Sequence, residues 1–266
     1  MTKPEPIPNF ALARMKSGKI ALGMIVRALR SGEVAMIARA TDHDFIFIDG
    51  QHALFDLETI GQMTLAALGC GVTPLVRVRS FADPDIPRLL DAGVMGIVVP
   101  DVNTAQEAQQ VVATAKFPPP GRRSIGGPSP VFCLRAVPPA DNMRALNDST
   151  MVVCMIETRE AVANVEKIAA VSGVDVLHIG CNDLLVDMGK PGEFENPELV
   201  AAISRVIAAG NAHGVQIGLG GDKDIGRQKA WMEKGVRFIT TQSDVAMLTA
   251  EAARRTAELR AISPKA

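Results

Sequence analysis

Residues 45–78 read FIFIDGQHALFDLETIGQMTLAALGCGVTPLVRV, and this stretch decides the fold. It opens on a short apolar run, FIFID. A polar turn follows, then a segment of helical period over residues 57–68, then a second apolar run, TPLVRV. Near-continuous apolar runs, rather than alternating ones, mark parallel strands covered on both faces. The same alternation extends in both directions. Upstream lies ALGMIV from Ala21, followed by a helical segment at 33–40. Downstream come GIVVP from Gly96, VVCMIE from Val152, VDVLHIG from Val174, VQIGLG from Val215 and RFITTQ from Arg237. Helical segments at 86–91, 105–115, 160–170, 199–213, 225–233 and 246–261 fall between and after them. Asn103-Thr104 ahead of AQEAQQ, and Thr158 ahead of REAVANVEKI, supply helix starts.

Eight strands, each followed by a helix, predict the α/β class and a closed (β/α)₈ TIM barrel. The chain of 266 residues is close to the roughly 250 typical of that fold, so one domain over 1–266 is expected, with the barrel at about 20–245 and a terminal helix at 246–262. An open doubly wound sheet would carry a Gly-rich turn after its first strand, and GMIVRALRSG has none. Residues 117–139, with PPPGRRSIGG, interrupt the repeat. A loop of that length in a barrel is usually functional.

Composition narrows the partners. A net charge of −1 and the absence of Tyr argue against a nucleic-acid surface. No apolar run is long enough to span a membrane, and MTKPEPIPNFALARMK lacks the apolar core of a signal peptide. Cys70, Cys133, Cys154 and Cys181 form no CxxC pair and read as reduced thiols of a cytoplasmic protein.

In a barrel of this kind the site is built where strands end. The second strand delivers Asp49 and His52, the third Arg77, the fifth Glu157, the sixth Asn182 and Asp183. The seventh ends GLGGD, where Gly220 and Gly221 bring backbone close. Any one of these could cap a helix or pair locally. Three carboxylates at one mouth would repel and lose charge, and a divalent cation removes that conflict. Two carboxylates with open positions suit Mg²⁺ or Mn²⁺, so Glu157 and Asp183 are the candidate ligands. His43, His178 and His213, lying before a strand, inside one and late in a helix, read as structural.

The segments FIFIDGQHALFDLETI, PLVRV, LLDAGVMGIVVPDVNTAQEAQQVV, FPPPGRRSIGG, VVCMIETREAVANVEKI and VDVLHIGCNDLLVDMG resemble, in order and spacing, the HpcH/HpaI aldolases over about residues 22–248. The resemblance implies a metal-dependent (Mg²⁺, Mn²⁺ or Co²⁺) class II aldolase acting on a 4-hydroxy-2-keto acid to give pyruvate and an aldehyde. It implies Glu157 and Asp183 as ligands and His52 as base. Arg77 would touch the keto oxygen, and the backbone at Cys181, Asn182 and Asp183 would receive the carboxylate. Asp49 would support the site, and Asp91 would partner His52. Gln51, Cys181 and Met155 depart from residues common in such proteins, which touches substrate preference rather than the ligands.

Asp91 ends a helix before a strand, at the opposite end of its own barrel from His52. The pairing therefore implies a homo-oligomer, a trimer or hexamer, with active sites shared between subunits. The loop at 118–127 is expected to line the aldehyde side of the pocket or to pack a neighbouring subunit. A CoA-ester lyase of the wider citrate lyase superfamily would need a basic patch for the CoA phosphates. A keto-acid-binding barrel without activity would lack a base or ligand. A Schiff-base aldolase needs a lysine projecting into the barrel, and no lysine falls within a predicted strand.

Overall fold

The computed structural model describes residues 4–262. Eight parallel strands close on one another in sequence order. They are β1 (Ala21–Val26), β2 (Phe45–Asp49), β3 (Thr73–Arg77), β4 (Gly96–Val99), β5 (Met151–Ile156), β6 (Val176–Gly180), β7 (Gln216–Gly220) and β8 (Val236–Ser243). The TIM barrel read from the sequence is the fold.

Two apolar clusters show which way each strand faces. Phe45, Phe47, Leu75, Val98, Met151, Val153, Met155, Val176 and Phe238 pack together inside the barrel, with Phe45 and Phe238 stacked 4.3 Å apart. Residues between them, such as Ile46, Ile48, Val76, Val152, Cys154, Leu177 and Ile179, pack outward against the helices. The inward positions of a strand are every second residue. Going up β2 they are Phe45, Phe47 and Asp49; going up β3, Thr73, Leu75 and Arg77. The interior is thus apolar low in the barrel and charged at its upper end. Full burial of each such apolar side chain contributes about 1.5–3 kcal/mol.

Helices α2 (Glu33–Ala40), α3 (Leu57–Cys70), α4 (Ile86–Asp91), α5 (Ala105–Ala115), α10 (Pro197–His213), α11 (Ile225–Glu233) and α12 (Asp244–Arg260) agree with the sequence reading to within a few residues. The segment at 160–170 breaks at Asn164 into α7 (Arg159–Ala163) and α8 (Val165–Ala169). Asn164 holds the break by donating its side-chain amide to the Asn103 carbonyl, 3.0 Å away.

Three helices lie outside the periodic pattern: α1 (Phe10–Lys16), α6 (Pro139–Ser149) and α9 (Cys181–Asp187). Helix α1 closes the lower end of the barrel, where Ala11, Leu12 and Met15 join the interior cluster. Its cap, Asn9, accepts from the Leu12 amide and donates to the Met95 and Ser149 carbonyls. Helix α6 starts at a Pro pair, which suits a first helical turn.

The loop before α6 is not at the mouth of its own barrel. It follows α5 and precedes β5, so it runs along the N-terminal ends of the strands. There Phe117, Val131 and Phe132 pack on Leu68, Met95 and Leu146 in a satellite core. The buried Arg123 stacks on Phe117 at 4.7 Å and donates to Asp91 Oδ1 at 2.6 Å. The expectation that residues 118–127 line the aldehyde side of their own pocket is therefore corrected.

Candidate active site

Beyond the C-terminal ends of the strands lies a cavity of about 450 Å³. His52, Arg77, Cys181, Asn182 and Asp183 line it, joined by Arg27, His178 and Lys223.

Asp49 anchors the site. Strand register places it directly beside Arg77, and it is wholly buried. Its Oδ1 accepts from Arg77 Nε (3.0 Å) and its Oδ2 from Arg77 Nη2 (2.7 Å) and Arg27 Nε (2.7 Å). Oδ1 also takes the backbone amides of Gln51 (3.3 Å) and His52 (3.2 Å). Burial raises its pKa, but the Arg77 bonds and charge outweigh that, and the carboxyl stays below the usual aspartate range. With every lone pair engaged, Asp49 is a positioning residue. It turns the IDGQH loop and orients Arg77, whose Nη1 has no partner among the described residues.

Glu157 comes directly after β5 and is buried. Its Oε1 accepts from the Asp101 amide at 2.9 Å, while its Oε2 is buried without a partner. Burial raises its pKa to about 7, with the charges of Asp101 and Asp183 adding to the shift. Gly180 faces it across the barrel wall: a Cβ there would fall 2.5 Å from Glu157 Oε2, so only glycine leaves that oxygen free. Asp183, in the first turn of α9, is exposed to the cavity, and its carboxylate makes no hydrogen bond among the described residues. It is therefore not the helix cap that its position would also allow.

An unpaired buried carboxylate oxygen beside a second free carboxylate is what a cation would satisfy. Among the described residues no group of three or more His, Cys, Asp or Glu is arranged to hold a metal. A two-carboxylate site that leaves room for water and substrate oxygens suits a hard divalent cation, so the residues fit one.

His52 lines the cavity, and its imidazole makes no hydrogen bond within the described residues. Asp91 stands at the other end of the barrel, with 46% of its side chain exposed beyond the Arg123 pair. The structure thus brings together His52, Arg77, Asp49, Glu157, Asn182, Cys181 and Asp183, and leaves Asp91 apart from them.

The lining residues that the sequence reading did not place at the site include Arg27, Thr240, His178 and Lys223. Arg27 follows β1, and reading one residue past that strand would have found it. Thr240 sits on β8 between Ile239 and Thr241. His178, read as structural, is on an inward position of β6 and lines the cavity; burial holds its pKa near about 3, so it is neutral. Lys223 lies in the loop after β7, outside the strands as read, and lines the cavity. Burial lowers it to about 8. His43 is structural as read, bonded to Thr41 and Thr241 at 2.9 Å each.

The profile of the HpcH/HpaI aldolase/citrate lyase family matches residues 24–250. A 4-hydroxy-4-methyl-2-oxoglutarate aldolase of Hapsidospora irregularis is 37% identical over 245 residues, covering 90% of this chain and 90% of that one. A 4-hydroxy-2-oxo-heptane-1,7-dioate aldolase of Escherichia coli is 33% identical over 266 residues, covering 96% and 98%. The crystal structure of an HpcH/HpaI aldolase from Desulfitobacterium hafniense DCB-2 is similar at a TM-score of 0.89 and 28% identity, covering 94% and 96%.

Proposed function

The chain belongs to the HpcH/HpaI aldolase/citrate lyase family and is an aldolase, a carbon–carbon lyase; on that premise we propose that its cavity reversibly cleaves a 4-hydroxy-2-keto acid to pyruvate and an aldehyde. The observation that carries the reading is the free Oε2 of buried Glu157, beside Asp183 and across from Arg77.

A divalent cation held by Glu157 and Asp183, whether Mg²⁺, Mn²⁺ or Co²⁺, would supply positive charge beside the keto oxygen. The remaining work belongs to the chain. Backbone amides at Cys181, Asn182 and Asp183 receive the substrate carboxylate. The unengaged Nη1 of Arg77 donates to the keto oxygen. His52, directly or through water, takes the proton of the 4-hydroxyl. The O–H electrons become the aldehyde C=O, the C3–C4 bond breaks, and its electron pair forms the pyruvate enolate. Arg77 is held rigid by Asp49 and stabilises the oxygen as its charge grows, which preorganisation makes effective. Protonation at C3 completes pyruvate.

The base requires a third group to fix its tautomer. We propose that Asp91 supplies it from a neighbouring subunit, in a trimer or hexamer with shared sites. Two features support this reading. Asp91 is half exposed at the end of the barrel remote from its own His52. Leu54, two residues past His52, is 91% exposed, a strong apolar feature for the rim of a pocket. The loop at 118–127 holds Asp91 through Arg123 and would accompany it into that interface. No helix among the described residues is long and apolar enough to cross a membrane. We assign the enzyme to the cytoplasm, which suits its four free thiols.

The test is pyruvate release from a panel of 4-hydroxy-2-keto acids. Activity should vanish on chelation and return with a divalent ion. Borohydride in the presence of pyruvate should not inactivate the enzyme. Turnover that survives exhaustive chelation in Glu157→Ala, or a borohydride-trapped adduct at Lys223, would overturn the class II assignment.

A further inference from the structure

In ring order β4 stands between β3, which carries Arg77, and β5, which leads to Glu157. Among the described residues, neither β4 nor the loop after it supplies a side chain to the cavity lining. What the loop supplies is a backbone amide. Asp101 N–H donates to Glu157 Oε1 at 2.9 Å. It does so from a left-handed conformation, with φ at 51°. The other described non-glycine residues with positive φ are Asp42, Cys133 and Leu134, in segments that lead into strands at the far end of the barrel. Asp101 is the one at the mouth.

A left-handed backbone costs an L-residue energy, and Asn and Asp bear it best after glycine. Such a conformation persists only where its surroundings over-determine it. Here Pro100 before and Val102 after are both buried, and the proline ring fixes its own φ. Asn103 is tied down next. Its amide donates to Glu107 Oε2 at 2.7 Å, its carbonyl accepts from Asn164 Nδ2 at 3.0 Å, and its Oδ1 accepts from Thr158 Oγ1. Thr158 follows Glu157 and caps α7 through the Ala161 amide at 3.0 Å. The loop after β4 thus grips the loop after β5 at two points, Asp101 to Glu157 and Asn103 to Thr158. With both sides held, a residue at 101 that leaves the left-handed region must displace the loop or turn its amide off Glu157. The Asp101 carboxylate is exposed and makes no hydrogen bond among the described residues, so the backbone does the holding.

The consequence is a choice between the two oxygens of one carboxylate. Strands β4 and β6 flank β5. From the β4 side the Asp101 amide occupies Oε1. On the β6 side Gly180 keeps the space beside Oε2 clear, where a Cβ would fall 2.5 Å away. Oε2 is buried and unpartnered. A hydrogen bond to a ligating carboxylate orients it for its metal.

We propose that Asp101 is a positioning residue: its left-handed backbone holds the amide on Glu157 Oε1 and so commits Oε2 to the divalent cation shared with Asp183. The inference rests on the reading of Glu157 and Asp183 as cation ligands. It gives the role to the conformation of residue 101, not to its charge.

The test separates those two. Asp101→Asn and Asp101→Gly both remove the charge and both accept the left-handed region, whereas Asp101→Val does not. Binding of Mn²⁺ to the metal-stripped proteins is measured by calorimetric titration, and pyruvate release is followed against Mn²⁺ concentration. The Asn and Gly variants should retain most of the wild-type affinity. Asp101→Val should bind Mn²⁺ about 10–100-fold more weakly, the loss typical of an outer partner of a metal ligand. Its turnover should recover as Mn²⁺ is raised to saturation, because Arg77 and His52 are untouched. Asn103→Ala cuts the second grip while leaving residue 101 in place, and should weaken Mn²⁺ binding in the same direction by less. Wild-type affinity in both Asp101→Val and Asn103→Ala would overturn the proposal, and so would Asn103→Ala alone where Asp101→Val does not fold. Equal weakening in Asp101→Asn and Asp101→Val would overturn it too, since charge would then be the cause. Glu157→Gln separates the two levels. Strong loss of Mn²⁺ binding there with no loss in the loop variants overturns the positioning role alone. Wild-type binding in Glu157→Gln overturns the cation reading and the proposal together.

Discussion

Replacing Asp49 by Asn removes one negative charge from a wholly buried position while keeping the side-chain shape. In the native protein that carboxylate takes five hydrogen bonds, three of them from the guanidinium groups of Arg77 and Arg27. The variant leaves Arg77, itself buried, without a counter-charge and turns an amide N–H toward donors. Breaking a buried pair by removing one partner costs about 3–5 kcal/mol. At roughly 2–4 °C per kcal/mol for a chain of this size, Tm should fall by roughly 6–20 °C. The sign of the pH dependence follows from the lowered pKa of Asp49. Its stabilisation is complete above the unfolded value of about 3.9 and is lost as pH falls through the lower folded value. The gap between wild type and Asp49→Asn should therefore be full at pH 7 and close below about pH 4. Thermal unfolding of Asp49→Asn, Arg77→Gln and the double variant measures the coupling. The double variant should recover at least about 1.5 kcal/mol relative to the sum of the singles, within the range for groups in one network. Additive losses, or a loss under about 1 kcal/mol for Asp49→Asn, would refute the buried pair as the anchor of the site.

Arg77→Lys should lower kcat about 10²–10³-fold with a smaller rise in KM, the loss seen when one donor to a developing oxyanion is removed. A change confined to KM would make Arg77 a binding residue only. In metal-stripped protein the raised pKa of Glu157, about 7, works against folding: the penalty is absent below the unfolded value of about 4.5 and grows until pH passes 7, reaching about 3 kcal/mol. Glu157→Gln should be inactive yet more stable than stripped wild type at pH 8, with the two converging near pH 4; parallel profiles would contradict the burial cost. Asp91→Ala and His52→Ala, each poorly active, should regain activity when unfolded and refolded together. A mixture no better than its parents, despite verified subunit exchange, rules out the shared site.

The strands were legible because burial on both faces writes an apolar run into each of them. That same property hid which residues point inward. His178 is one polar residue in such a run, and only the parity of β6 turns it toward the cavity. Asp49, Arg77, Glu157 and Asp183 were legible because charge at the end of an apolar strand has no place in a core. Lys223 and Thr240 carry no such signal: one lies in a loop without period, and the other is a small residue on a strand. Of the two readings of the loop at 118–127, only the one that put it at its own pocket fails, and its order in the chain, helix before and strand after, already places it at the N-terminal end.

The amino-acid sequence by itself determined the alternation of eight strands and helices, the barrel, and the charged strand ends that make its mouth, because periodicity and polarity are local properties of a chain. Tertiary structure alone decided that Asp49 is spent on Arg77 and Arg27 while Glu157 keeps one oxygen free. It decided too that α1 closes the floor, that Asp91 belongs to Arg123 at the far end, and that Lys223 and Arg27 face one cleft. Those outcomes depend on strand register and barrel closure, which bring together residues up to two hundred positions apart, and no local pattern encodes which of them meet.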